Sequence, residues 1–392
     1  MKSLEKTSLK LGIVPLVDCA PLAIAKERGF FAEVGLDVEI SREASWASIR
    51  DKVAVGSLDG AHMLAPLPLA MTAGAAPLTV PMVVGMALNL GGNTITLAED
   101  LWRRLDAADP DADPALPLDA GRLRRLIEED RAAGRVPLTF ASVYPVSAHT
   151  YDLRTWLTSG GIDPDHDVRL VVVPPQQMVA QLSTRNIAGY CVGEPWGTLA
   201  VRHGLGRLAA TSRDLVAGCL EKVFAVTAAW AEAHPRTHLA VLEALIGAAR
   251  WCDENRCETA EILAQPHLLN APFDAVVASL LGEGGLPKDL IQFHRWAANF
   301  PWRSQAQWYL ERMVECGQLP AAINRRSLAQ AVFRPDLYRI AAQRLGLDVP
   351  LVDEKSEGEH AQPWTLLRAT RPIAMGPDLL LSGAIYNPAT NA

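Results

Sequence analysis

The chain has 392 residues, with 37 Lys and Arg against 44 Asp and Glu and a formal charge of −7. That length exceeds one ordinary hydrophobic core and points to two or three domains, while the acidic balance excludes the clustered cationic surface that direct nucleic-acid binding needs. The six cysteines (Cys19, Cys191, Cys219, Cys252, Cys257, Cys316) are too scattered for a CxxC metal or redox pair, and no apolar stretch runs the roughly 18 to 20 residues that cross a bilayer without a charge or a breaker.

The opening residues read as a buried strand over 9–14, followed at once by a helix over 18–31. Lys2, Lys6 and Lys10 ahead of the apolar run 11–25 imitate an export signal. Pro15 and Asp18 interrupt that run, and cleavage after Ala25 would delete the first strand, so the expected location is cytoplasmic. Strand and helix patterns then alternate: strand 36–40, helix 46–55, strand 60–63, helix 66–72, strand 82–90. Such an order implies a parallel sheet covered by helices, with ligands at the carboxyl ends of its strands.

Residues 98–135 change character, with the turn-rich Asp109-Pro110-Asp111-Ala112-Asp113-Pro114 and a charged helix over 121–134, and read as a surface insertion. The β/α pattern resumes at 138–141, continues through strands at 168–173 and 187–192, and closes at 222–227. From 229 to about 343 the chain is mainly helical; its last thirty residues read as an extended return over the body. The layout predicts two α/β lobes, lobe I from 1–137 and 225–392 and lobe II from 138–224. Two crossings between them would make a hinge around a cleft.

Several loops after strands carry candidate chemistry. Ser45 has the side chain of an N-cap, placing Trp46 in a first helical turn where free N–H groups favour an anion; the plain alternative is a Trp packed between helix and sheet. Gly91-Gly92-Asn93 either brings backbone and amide close to a ligand or is simply a turn. His149 sits at the mouth of the second lobe as a ligand or a structural histidine, and Lys222 opens the closing strand as a cleft cation or a solvated lysine. Pro174-Pro175 and Val192-Gly193-Glu194 follow strands of the second lobe. Glu194 there either balances His149 and Lys222 or lies on the surface.

Together these segments resemble the nitrate-binding family of ABC-transporter substrate-binding proteins, the NrtA, CmpA and NasS group. The resemblance rests on Ala20-Pro21-Leu22, residues 25–31, Ala44-Ser45-Trp46, Asp59-Gly60-Ala61-His62, Gly160-Gly161-Ile162-Asp163-Pro164-Asp165, Val173-Pro174-Pro175, Val192-Gly193-Glu194-Pro195-Trp196 and Trp251-Cys252-Asp253. It implies a two-lobe, type II periplasmic-binding-protein-like clamp. It further implies nitrate or nitrite held by Trp46, Asn93, His149 and Lys222, with Pro175, Val192, Gly193 and Glu194 lining the site and neither cofactor nor metal. Asn93 stands where the relatives carry glutamine, one methylene longer. Lys222 stands where bicarbonate-binding relatives carry an acidic residue and recruit a metal, which ranks bicarbonate below nitrate. Nitrate offers only acceptors, so its site is expected to present donors alone.

No GxxxxGK[ST] loop is present, so the chain is not a binding domain carrying a transporter ATPase. With the cytoplasmic location, the resemblance implies a nitrate/nitrite sensor of NasS type that releases a NasT-like, ANTAR-type RNA-binding antiterminator when the anion binds. The alternative is an exported binding subunit of a nitrate/nitrite transporter. Catalysis is not expected: Cys219-Leu220-Glu221-Lys222 are strand neighbours that should point to opposite faces, and Asp163-Pro164-Asp165-His166-Asp167 lacks the glycine and glutamate of a calcium loop.

Overall fold

The computed structural model describes residues 3–111, 113 and 115–389. Lys2 of the signal-like start and Ala112 and Pro114 of the acidic stretch lie outside them. Eleven strands build the two lobes: β1 Ser8–Ile13, β2 Asp37–Arg42, β3 Gly60–Leu64, β4 Met82–Gly91, β5 Asn93–Ala98, β6 Thr139–Ser142, β7 Arg169–Val172, β8 Gly189–Gly193, β9 Gly206–Thr211, β10 Leu220–Thr227 and β11 Ile291–Gln292. The first sheet has the order β11-β4-β10-β3-β1-β2 and the second β7-β6-β8-β5-β9.

Neither sheet is purely parallel, as the alternating pattern had implied. β1 runs parallel to β2 and β3, but β10 is antiparallel to both β3 and β4. In the second sheet β6 is parallel to β7 and β8, while β5 is antiparallel to β8 and β9. The cause is the exchange of chain between lobes: β5 and β10 are crossings, and each enters its new sheet against the local direction.

β5 also moves the lobe boundary. The second sheet takes up the chain from residue 93, not 138, and the helices Glu99–Ala108 and Ala120–Ala132 pack against β5, β9 and the helix Ala148–Ser159. Residues 98–135 therefore belong to the second lobe. At the other end, the whole of β10 lies in the first sheet, so the return crossing falls at 216–219 rather than 224/225.

The crossings lie side by side. Gly91 and Gly92 have φ of +66° and +105°, conformations that a side chain disfavours, and a Cβ on Gly91 would collide with the carbonyl oxygen of Leu290. Gly218 in the return crossing has φ +74°, and Gly91 N donates to Cys219 O at 2.7 Å, which ties the two together.

Local signals explain the helices that frame the cleft. Ser45 and Ser147 cap the helices Trp46–Ala54 and Ala148–Ser159, accepting from Ser48 N at 3.2 Å and Thr150 N at 3.1 Å. The long helix Pro235–Glu254 packs its buried face on the helix Ala20–Glu27 behind the first sheet. Its first turn is capped from a distance by Glu5, which accepts from Arg236 N and Thr237 N at 3.1 and 2.9 Å. The final segment returns as expected, meeting the second crossing through Ala217 N→Leu379 O and Leu381 N→Leu215 O, both 2.8 Å.

The lobes are closed on each other. Trp196 Nε1 donates to Pro15 O at 3.1 Å, Val17 N to Glu194 O at 2.8 Å, and Arg50 Nη1 to the Tyr144 hydroxyl at 2.6 Å, each bond joining lobe I to lobe II. Among the described residues no helix is long and apolar enough to cross a membrane.

Candidate functional site

Where the lobes meet, ionisable side chains gather out of contact with solvent. Lys222 on β10 is fully buried, its Nζ 2.7 Å from Asp18 Oδ2 and 2.6 Å from Glu221 Oε1. Neighbours on a regular strand face opposite ways, yet Glu221 and Lys222 both reach this cluster. The ladder explains it: Leu220 pairs with Leu90 and Lys222 with Asn89, leaving Glu221 as the extra residue of a bulge. The irregularity re-aims one side chain, and the expectation of opposite faces fails here.

Asp18, in a short 3-10 turn after β1, carries the link onward to His62 on β3, whose Nε2 lies 2.8 Å from Asp18 Oδ1. His62 Nδ1 accepts from Val14 N at 3.5 Å, so the ring proton sits on Nε2 and the imidazole is neutral. Burial lowers the His62 pKa further than Asp18 restores it. For Asp18 burial works upward, but Lys222 and His62 hold its carboxyl well below the usual carboxylate range. Lys222 keeps its proton: burial opposes the charge, and Asp18 and Glu221 more than offset it. The indole of Trp46 packs edge-on to His62, with ring centroids 5.1 Å apart, and Lys222 Nζ stands 5.5 Å from its ring centroid.

From the second lobe come His149, second in its capped helix, and Asn93, first in β5. His149 Nδ1 is 3.4 Å from Glu221 Oε1. Asn93 Nδ2 donates to Glu221 Oε2 at 2.6 Å and to Asp152 Oδ2 at 3.1 Å. Gly193 closes the ring: a Cβ there would sit 3.3 Å from Asp18 Oδ2 and 3.6 Å from Asn93 Oδ1. Burial, then Glu221, pushes Asp152 well above the usual carboxylate range; burial, helped by Asp18, outweighs Lys222 and Asn93 to raise Glu221. His149 is driven well below its ordinary value by burial and by Lys222.

Trp46, Asn93, His149, Lys222 and Gly193 thus converge, and the alternative of a solvated Lys222 is excluded by its full burial between Asp18 and Glu221. Val192 pairs with Thr94 one step along the ladder and is buried. Pro175 is buried at the head of the 3-10 turn Pro175–Gln177, and the contacts that define the cluster do not include it.

Three expectations change. Glu194 is buried but turned away: it accepts from Thr94 Oγ1 at 2.8 Å, Thr198 N at 3.1 Å and Ser279 Oγ at 2.9 Å, fixing the loop after β8 rather than balancing His149 or Lys222. Asn93 spends its amide hydrogens on two carboxyl groups, which leaves its carbonyl oxygen, not its donors, unpartnered in the cluster. The site is not made of donors alone, because Asp18, Glu221 and Asp152 stand among them.

Those three carboxyls and His62 were missed. An aspartate inside the otherwise apolar run 16–25 was itself a signal, since a buried charge demands a partner. What distinguishes the cluster from a structural network is its incompleteness: Trp46 Nε1, His149 Nε2, Asn93 Oδ1 and Asp152 Oδ1 are buried with no hydrogen-bond partner among the described residues. In a protein interior such atoms cost about 1–3 kcal/mol each. A closing cleft that gathers them around an ammonium is built to receive a small polar molecule.

Comparison with known proteins agrees with this fold. The NMT1-like family matches residues 2–266. The chain is 37% identical over 355 residues to the nitrate import ATP-binding protein NrtC of Synechocystis sp. PCC 6803, covering 88% of this chain but only 51% of NrtC. To the nitrate/nitrite binding protein NrtA of Synechococcus elongatus it is 33% identical over 372 residues, 90% of this chain and 81% of that protein. The crystal structure of the periplasmic nitrate-binding protein NrtA from Synechocystis PCC 6803 superposes with a TM-score of 0.85 at 30% identity, covering 100% of this chain and 98% of that one.

Proposed function

Because the chain belongs to the NMT1-like family, in the group of the NrtA and CmpA binding proteins, we propose that it binds nitrate or nitrite between its lobes and delivers it to the membrane and ATPase subunits of an ABC transporter. The observation that carries this reading is the set of unpartnered buried groups around Lys222, above all Trp46 Nε1 and His149 Nε2. A planar oxyanion presents acceptors to an indole N–H, an imidazole N–H and an ammonium at once, and burial strengthens each bond. Relatives named for binding and transport support capture without turnover.

The sensor reading, a cytoplasmic protein partnered by a NasT-like antiterminator, uses the same cleft, and the named relatives favour the transport subunit over it. Fractionation separates the two: recovery outside the inner membrane supports transport, whereas a cytoplasmic chain that releases an antiterminator on adding nitrate supports sensing. Ligand identity is tested by calorimetric titration with nitrate, nitrite and bicarbonate, repeated with Lys222→Glu. Saturable binding of nitrate or nitrite that disappears in the variant is the expected result; unchanged nitrate affinity in the variant removes Lys222 from the site.

A further inference from the structure

The charges of the closed cleft do not leave room for another negative one. One ammonium, Lys222, already serves two carboxyl groups at 2.7 and 2.6 Å, and a third carboxyl, Asp152, shares the amide nitrogen of Asn93 with Glu221. All are buried to 2% exposure or less. The other ionisable groups nearby bring no cation: His62 is a neutral donor to Asp18, His149 is neutral, and Cys191, Cys219 and Tyr309 have their pKa values raised by burial, so they stay protonated. An anion entering this cluster meets at most one positive charge that is already spoken for, and an uncompensated charge in such surroundings is not tolerated.

We propose that the cleft takes up a proton together with its anion, and that the facing pair His149 and Glu221, 3.4 Å apart across the lobe boundary, receives it. The inference rests on the anion reading above. The proton comes from solvent, one per monovalent anion, so the charge of the cluster is unchanged by binding. Because the two groups face each other they titrate as a pair. With the proton on the pair, His149 Nε2 is free to donate to the anion, or Glu221 ceases to repel it. The sign follows: affinity is fully present below the pKa of the empty pair and falls by about tenfold per pH unit as pH rises from there toward the higher pKa of the occupied pair. Glu221 is in this account a specificity-determining residue that tunes the pH range of capture.

The test is calorimetry of the full chain with sodium nitrate near neutral pH in phosphate and in Tris, whose protonation heats differ. A buffer-dependent heat equivalent to about one proton per nitrate, with affinity falling toward alkaline pH, is expected. Saturable binding with equal observed heats in both buffers and no pH slope overturns the proposal while leaving nitrate as ligand. No saturable heat with nitrate overturns the anion reading itself, and this inference with it. Glu221→Gln, which keeps the shape and removes the titrating carboxyl, should flatten the slope; an unchanged slope in that variant removes Glu221 from the acceptor pair. Should that variant fail to fold, the two-buffer comparison on the unmodified chain still decides.

Discussion

Among the described residues the chain builds the same charge motif twice, a lysine between two carboxylates, and the two copies differ in what surrounds them. In the returning C-terminal segment Lys355 lies 2.5 Å from Glu357 Oε2 and 3.5 Å from Asp378 Oδ2. There Ser304 Oγ donates to Glu357 Oε1 at 2.9 Å, His360 N donates to Asp378 Oδ1 at 2.7 Å, and the imidazole of His360 stacks on Trp364 with ring centroids 4.1 Å apart. That cluster fastens a strap to the body. In the cleft Lys222 has equally short partners, but Trp46, Asn93, His149 and Asp152 around it all keep a donor or acceptor in reserve, where the strap leaves the Trp364 Nε1. Composition does not separate a structural ion cluster from a binding site; the accounting of its hydrogen bonds does.

Lys222→Ala is the harshest way to break that comparison. It strands Asp18 and Glu221 as buried charges and should cost about 3–5 kcal/mol in denaturant unfolding, together with loss of nitrate binding by titration. Lys355→Ala should destabilise by about 2–3 kcal/mol, since its carboxylates retain other donors, while nitrate affinity stays within about threefold. If the Lys355 variant abolishes binding, the strap cluster is part of the recognition apparatus and the contrast fails.

Trp46→Phe sharpens the same contrast from the ligand side. It deletes the unpartnered Nε1 and keeps most of the ring, so thermal stability should move by less than about 1 kcal/mol while anion affinity drops roughly 5- to 15-fold. The smallest effect is expected far from both clusters. Glu5→Gln weakens the remote cap of the helix Pro235–Glu254 and should cost about 0.5–1 kcal/mol. Burial alone would raise the Glu5 carboxyl, but its bonds to Thr237 and Arg236 hold it down at about 2 from an ordinary 4.5. Its contribution is therefore complete above the ordinary value and lost as pH falls toward the folded one. Acid unfolding of wild type and variant should converge at the low end of that interval.

Much of this architecture is legible in the residues themselves. The alternation through residue 90, the serine cap at Ser45 and the cleft residues Trp46, His149 and Lys222 follow from periodicity, capping chemistry and a family likeness. β5 was hidden because β4 and β5 are separated by Gly92 alone, and Gly91-Gly92-Asn93 reads locally as a turn that ends one strand, not as the start of another in a different sheet. β9 was hidden because 206–211 is short and alternates weakly. Glu221 escaped because a bulge is a property of pairing between strands, which no local pattern records. Asp18 was read only as an interruption of an apolar run, although the interruption was the information. Glu194 was misassigned because sequence order cannot tell which of several nearby hydroxyls a buried carboxylate will meet.

The paired crossings carry one more implication. Gly91–Gly92 and 216–219 are stitched together by Gly91 N→Cys219 O at 2.7 Å, forming a two-ply joint in place of two separate tethers. A laminated ribbon flexes readily across its thin direction and resists shear within its plane. The lobes should accordingly swing apart along a single arc and return to the same alignment each time, bringing Asn93 and His149 back onto Glu221 without a search.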